Sequence, residues 1–213
     1  MSSPSGARYI DVLRLPHVPV TFGTALLGRA AFALVLLPLL YAVHDATGSI
    51  ALAGLALTLF GGGASILAPM RAWLIDRFGA RLVLAALIFS FGLALLAIAF
   101  LSFARIAALP LLLLSAVAGV CAPPLGPTMR VAWGALAPGA QLRKKALSLD
   151  AVLEELLYLA GPAVSGLALA RFSPALALLF PVLLVLLGGM LFVATPAVGA
   201  MRPMGRRERI AGS

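Results

Sequence analysis

The chain carries too little charge to build a water-facing surface. Only 11% of its 213 residues are Asp, Glu, Lys or Arg, and just seven are acidic, against roughly 25% charged in an ordinary soluble domain. A soluble globule is therefore excluded. A single cysteine, Cys121, excludes a disulfide framework, because bridges need partners. One cysteine and two distant histidines, His17 and His44, cannot assemble a metal site. Those histidines lie outside the apolar runs and leave Ser165 without a base, so an intramembrane serine protease is not expected either. The chain is read as a non-enzyme needing no cofactor and no metal.

What is present is apolar surface: 62% of the residues are hydrophobic, and the mean hydropathy is +1.10. Disorder does not fit that composition. At about 20 apolar residues per bilayer crossing, the length accommodates six helices. The apolar runs are 18–43, 50–69, 82–103, a fourth starting near Leu109, 146–170 and 175–198. The first is too long for the 7–15-residue apolar region of a secretory signal and ends in a polar turn, so it is expected to remain as a span. Residues 1–17 are read as a cytoplasmic N-terminal segment, 18–198 as the six-helix domain and 199–213 as a basic cytoplasmic tail.

Six spans put both ends on one side, and the basic residues say which. The N-terminal segment, the loops after spans two and four and the tail carry thirteen Arg and Lys; the opposite loops carry only Arg105 and Arg171. Such a bias marks the cytoplasmic side. The net charge of +9 lies at the ends of apolar runs rather than on one exposed face, so no nucleic-acid partner is expected. Fourteen arginines against two lysines fit a GC-rich bacterial genome and hence a bacterial cytoplasmic membrane. Trp73 and Trp133 fall where rings at headgroup depth or plain helix packing would both be served.

Span four contains Pro123-Pro124 and Gly126-Pro127. These prolines delete backbone donors and should kink or break the helix, leaving carbonyls for neighbouring helices to satisfy. An offset of 100 aligns 51–71 with 151–171, matching Gly61, Ser65 and Arg71 with Gly161, Ser165 and Arg171. Spans two and five would then be equivalent members of a three-plus-three inverted repeat within an all-α polytopic bundle. Gly61, Gly62 and Gly63 in span two, and Gly161, Pro162 and Gly166 in span five, are candidate packing or hinge positions.

The segment after span two, 72–81, carries the sharpest local pattern. Leu74, Asp76, Arg77, Gly79 and Arg81 stand at the places of Gly-x-Leu-x-Asp-Arg-x-Gly-Arg-Arg/Lys. Here the sequence resembles the major facilitator superfamily, in which that signature joins helices two and three; Ala72 and Ala80 depart from it. The resemblance runs through Gly28-Arg29 in span one. It extends to Gly161-Pro162-x-x-Ser165-Gly166 in span five, similar to a Gly-Pro-x-x-Gly-Gly motif of proton-coupled drug exporters. Ser115 stands where those exporters carry an arginine. The resemblance implies the first six-helix half of a twelve-helix transporter, in which this segment latches against the other half. From the residues themselves, Asp76 could cap a helix N-terminus on a short turn, Gly79 permits the bend, and Arg77 and Arg81 could bind acceptors on a neighbouring helix.

Arg29 lies near the middle of span one, where a charge costs about 2.5–3.5 kcal/mol on the insertion scale. Its candidate partners are Asp150, Glu154 and Glu155 at the start of span five, the first two on one helical face. The four residues are read as a substrate and coupling site at a water-filled cavity, where Arg29 meets an anionic group or a carboxylate whose protonation is coupled to movement. The function expected is secondary transport of a small solute by alternating access, in the efflux direction and with protons as the candidate coupling ion. A half-length unit would act with its missing second half or with a second copy as a homodimer. The rival reading is a non-transporting half serving as a membrane interaction subunit.

Overall fold

In the computed structural model, which describes residues 8–105 and 107–201, the chain is a bundle of helices. A short α1 (Tyr9–Leu13) precedes α2 (Val18–Thr47). α3 (Ile50–Ile66) and α4 (Ala68–Phe78) follow as a pair bent by 46°. Then come α5 (Ala80–Phe103), α6 (Ala108–Cys121), α7 (Leu125–Leu136) and α8 (Ala140–Arg171). The last crossing is built from α9 (Pro174–Ala177), α10 (Leu179–Leu184), a π-helical turn (Val185–Gly189) and α11 (Met190–Ala194), with α12 (Pro196–Gly199) beyond it. Five crossings pass on length and apolarity alone, and the bent pair α3–α4 makes a sixth when read as one span. The tail expected to be basic falls, from residue 202 onward, outside the described residues.

Local chemistry sets the ends. Gly48 closes α2 in the left-handed region (φ 67°) and donates to the His44 carbonyl, and Ser49 then caps α3 by accepting from the Leu52 amide at 3.3 Å. Gly79 (φ 94°) is the sole residue between α4 and α5, a conformation that a side chain would strain. The polar segment 71–81 is therefore helix up to Phe78. Asp76 sits inside the last turn of α4, and the N-cap of α5 is Gly79, which forms no side-chain cap bond. The expected capping by Asp76 does not occur, because continued helix carries it away from the next N-terminus.

α8 starts six residues earlier than its apolar stretch suggests, at Ala140. Its 32 residues span about 48 Å, more than the ~30 Å of hydrocarbon, so its first turns stand outside the apolar layer. α1 packs beside this extension, with the Lys145 ammonium 5.2 Å from the Tyr9 ring centroid. The side chains buried between α2, α5, α7 and the last crossing form one core that includes Phe22, Leu39, Ile88, Phe91, Trp133 and Phe192. Trp133 is wholly buried and meets Phe22 edge-on at 5.1 Å, so it serves packing rather than headgroup contact, whereas Trp73 is exposed.

Span four breaks where its prolines predict. α6 ends at Cys121, Pro123-Pro124 intervene, and α7 continues the same 29-residue crossing. Span two breaks at Leu67, just before Pro69. α3 and α6 lie backbone to backbone: a methyl on Gly119 would collide with the Phe60 carbonyl, and one on Gly63 would stand 3.0 Å from the Ala116 oxygen.

Candidate functional site

Arg29 and Asp150, 121 residues apart, form a buried ion pair. Arg29 Nη1 donates to Asp150 Oδ1 at 2.6 Å, and Nη2 reaches Oδ2 at 3.5 Å and the Gly126 carbonyl at 3.4 Å. The side chains are 4% and 1% exposed. α2 brings Arg29 about 17 Å from its first residue and α8 brings Asp150 about 15 Å from its own, so the two meet at matching depth. Arg29 Nε finds no acceptor among the described residues. Gly126 on α7 keeps the space open: a methyl there would lie 3.0 Å from Glu154 Oε1 and 3.7 Å from Arg29 Nε.

The three acids thus divide their roles. Asp150 takes Arg29; Glu154, one turn further along α8, accepts from Arg130 Nη2 of α7 at 2.7 Å, with Arg130 54% exposed. Glu155 is exposed and forms no ion pair among the described residues. The acids sit between a third and half of the way along α8 rather than at its start, because the helix begins before its apolar run does. In this conformation Arg29 is closed off. A cavity of about 430 Å³ lies between α4 and α7, with Asp76, Ala72, Pro127 and Thr128 on its wall.

The residues of the 72–81 segment part company. The Arg81 guanidinium crosses to the end of α11, where Nε donates to the Val193 carbonyl at 3.2 Å and Nη2 to that of Ala194 at 2.9 Å. A cation at a helix C-terminus, donating to carbonyls that lack intrahelical partners, is favourable on both counts. Arg77 stays on its own helix, 5.5 Å from the Trp73 ring centroid and 5.7 Å from that of Phe78. Asp76 lies on the cavity wall and has no ion-pair partner among the described residues.

The glycines divide too. Gly161 packs so closely on α2 that a methyl would strike the Ala33 backbone, and Ser165, one turn on, donates to the Leu34 carbonyl at 2.9 Å. Gly63 packs on α6. A methyl added at Gly61, Gly62 or Gly166 would meet nothing within 4 Å, so these three are not packing positions among the described residues of this chain. Pro162 is exposed inside α8. The close approach of Gly28 to Gly188, at the π-helical turn of the last crossing, has no counterpart in the sequence reading; the Gly188-Gly189 pair is its one signal.

Arg71 is the residue whose structural role sequence reasoning missed. Counted there among the orienting charges, it is 5% exposed, and its guanidinium donates to four backbone carbonyls: Gly63 at 3.4 Å, Ala64, Gly119 at 3.3 Å and Val120 at 3.1 Å. The signal for it lay in Pro123-Pro124, whose missing N–H groups leave those last two carbonyls without their usual donors.

The family model described as Major Facilitator Superfamily matches residues 20–210. No curated protein and no solved structure matches the chain. The matched stretch takes in the Arg29–Asp150 pair, the Asp76–Arg81 segment and all but the first two residues of the six crossings, and the chain belongs to this superfamily of membrane transporters.

Proposed function

We propose that the chain moves a small solute across a bacterial cytoplasmic membrane by alternating access, with its basic side and both termini in the cytoplasm. The observation that carries this reading is the Arg29–Asp150 pair, held inside the bundle with almost no exposure. Apolar residues of similar volume would be as stable there or more so, since the desolvation of both charges offsets much of their attraction. Charges kept within membrane spans line pathways.

The chemistry follows from the donors. An anionic group on the solute competes with Asp150 for the Arg29 fork, and the unpartnered Nε beside Gly126 supplies a further donor. Asp150, deprived of its counter-charge, then takes up a proton; when the solute leaves, the proton leaves and the pair re-forms. One negative charge faces the guanidinium throughout. Glu154, with Arg130, stands on the more exposed side of Asp150 as the group that passes the proton on, and Glu155 faces outward from the same helix.

The working unit is two six-span bodies, the second being another copy or a second half. Supporting this are Gly61, Gly62 and Gly166, small surfaces on α3 and α8 with nothing opposite them among the described residues. The Asp76 face is the latch toward that second body, while Arg81 ties its own half together. Native mass in detergent tests the pairing: a strict monomer that moves no solute favours the interaction-subunit reading. Proteoliposomes loaded with pyranine and challenged with a panel of small organic anions and cations test the site. Wild type is expected to give solute-dependent pH changes that Arg29→Gln and Asp150→Asn abolish. Equal signals from wild type and both variants remove the proposal.

A further inference from the structure

We infer that Arg71 is a positioning residue that bolts the break of span four to the bend of span two, so that α4 cannot swing free of the paired ends of α3 and α6. The inference rests on the fold alone and stands whether or not a solute moves.

Two helix breaks occur side by side. α3 and α6 pack closely, run in the same direction, and each ends at a break with carbonyls facing forward. In an unbroken helix the Gly119 and Val120 carbonyls would accept from the amides of residues 123 and 124, but both are prolines. Away from water, such carbonyls need another donor. The Gly119 carbonyl keeps one amide, that of Ala122 at 3.1 Å. Arg71, in the first turn of α4, donates to it and to the Val120 carbonyl, while the same guanidinium reaches the Gly63 and Ala64 carbonyls at the end of α3. A cation between two helix C-termini also meets the negative ends of two dipoles. No other side chain donates to these carbonyls among the described residues.

What the bolt holds gives it a consequence. α4 carries Asp76 on one wall of the cavity, and α7 carries Thr128 on the facing wall and Gly126 against the Arg29–Asp150 pair. With Arg71 in place, α4 and the cavity wall that carries Asp76 are held to the ends of α3 and α6. Without it, α4 hinges freely at Leu67 and the end of α6 before Pro123-Pro124 loses the side-chain donor that closes it.

The chain provides its own reporter, because Cys121, its one cysteine, is the last residue of α6. The full chain in detergent is labelled with N-ethylmaleimide as wild type, Arg71→Lys, Arg71→Met, and Arg71→Met combined with Pro123→Ala and Pro124→Ala. Loss of the charged hydrogen bonds should speed labelling of Arg71→Met by about ten- to hundredfold, with Arg71→Lys between it and wild type. Restoring two amides lets the Gly119 and Val120 carbonyls bond within the helix, so the combined variant should return to within about threefold of wild type. A side chain that merely fills space would show no rescue by the proline changes. Unchanged labelling in folded Arg71→Met overturns the inference, as does accelerated labelling that the proline changes leave unaltered. Should Arg71→Met fail to accumulate, recovery of folded protein in the combined variant supports the inference, and failure to recover it counts against it.

Discussion

Removing one partner of the Arg29–Asp150 pair should be among the costliest single changes in the molecule. In Asp150→Asn the guanidinium keeps its burial, at 4% exposure, and loses the carboxylate that offsets it. Breaking a buried pair in this way costs about 3–5 kcal/mol. For a chain of this length that corresponds to a fall in Tm of about 6–20 °C. Replacing both members, as Arg29→Met with Asp150→Leu, removes both desolvation penalties and should come within about 1 kcal/mol of wild type or exceed it. Unfolding in detergent can be followed by tryptophan fluorescence, since Trp133 is buried against Phe22 and reports loss of the core. The double variant should then be stable and inactive in vesicles, which separates the site's function from its contribution to the fold. If Asp150→Asn unfolds within about 0.5 kcal/mol of wild type, or the double variant is no more stable than either single one, the pair is not the desolvated contact described above.

The second ion pair should behave differently: Glu154→Gln is expected to cost no more than about 1 kcal/mol, because Arg130 is more than half exposed and salt screens the contact. A titration of stability against salt checks this. Arg81→Gln removes two hydrogen bonds from the end of α11 and should cost about 1–2 kcal/mol in the same unfolding assay. Gly161→Ala should destabilise by about 1–3 kcal/mol through overpacking against Ala33, whereas Gly61→Ala, with open space before it, should be neutral or gain up to about 1 kcal/mol from helix propensity. Equal effects at the two glycines would contradict the packing described here.

Much of the bundle was legible along the chain because the cost of leaving water adds up residue by residue. The apolar runs, the turn at Gly48-Ser49 and the prolines of span four needed no knowledge of neighbours to place six crossings and one break. Arg29 announced itself for the same reason, as a charge whose local sequence offers nothing to offset it, and that narrowed its partner to three acids of α8. The polar segment 71–81 misled because polarity marks the end of the hydrocarbon, not the end of a helix; α4 continues as far as Phe78.

Which acid pairs with Arg29, which glycines touch another helix and which arginine is buried depend on how each helix is rotated and how far it slides against the next. Gly61 and Gly161 occupy matching places in the repeat, yet one faces open space and the other the backbone of α2. Arg71 and Arg171 match likewise, yet one closes two helix ends and the other lies exposed. Composition acts along one dimension and determined that the chain crosses a membrane and where. A contact over 121 residues depends on angle and register, which only the packed bundle decides.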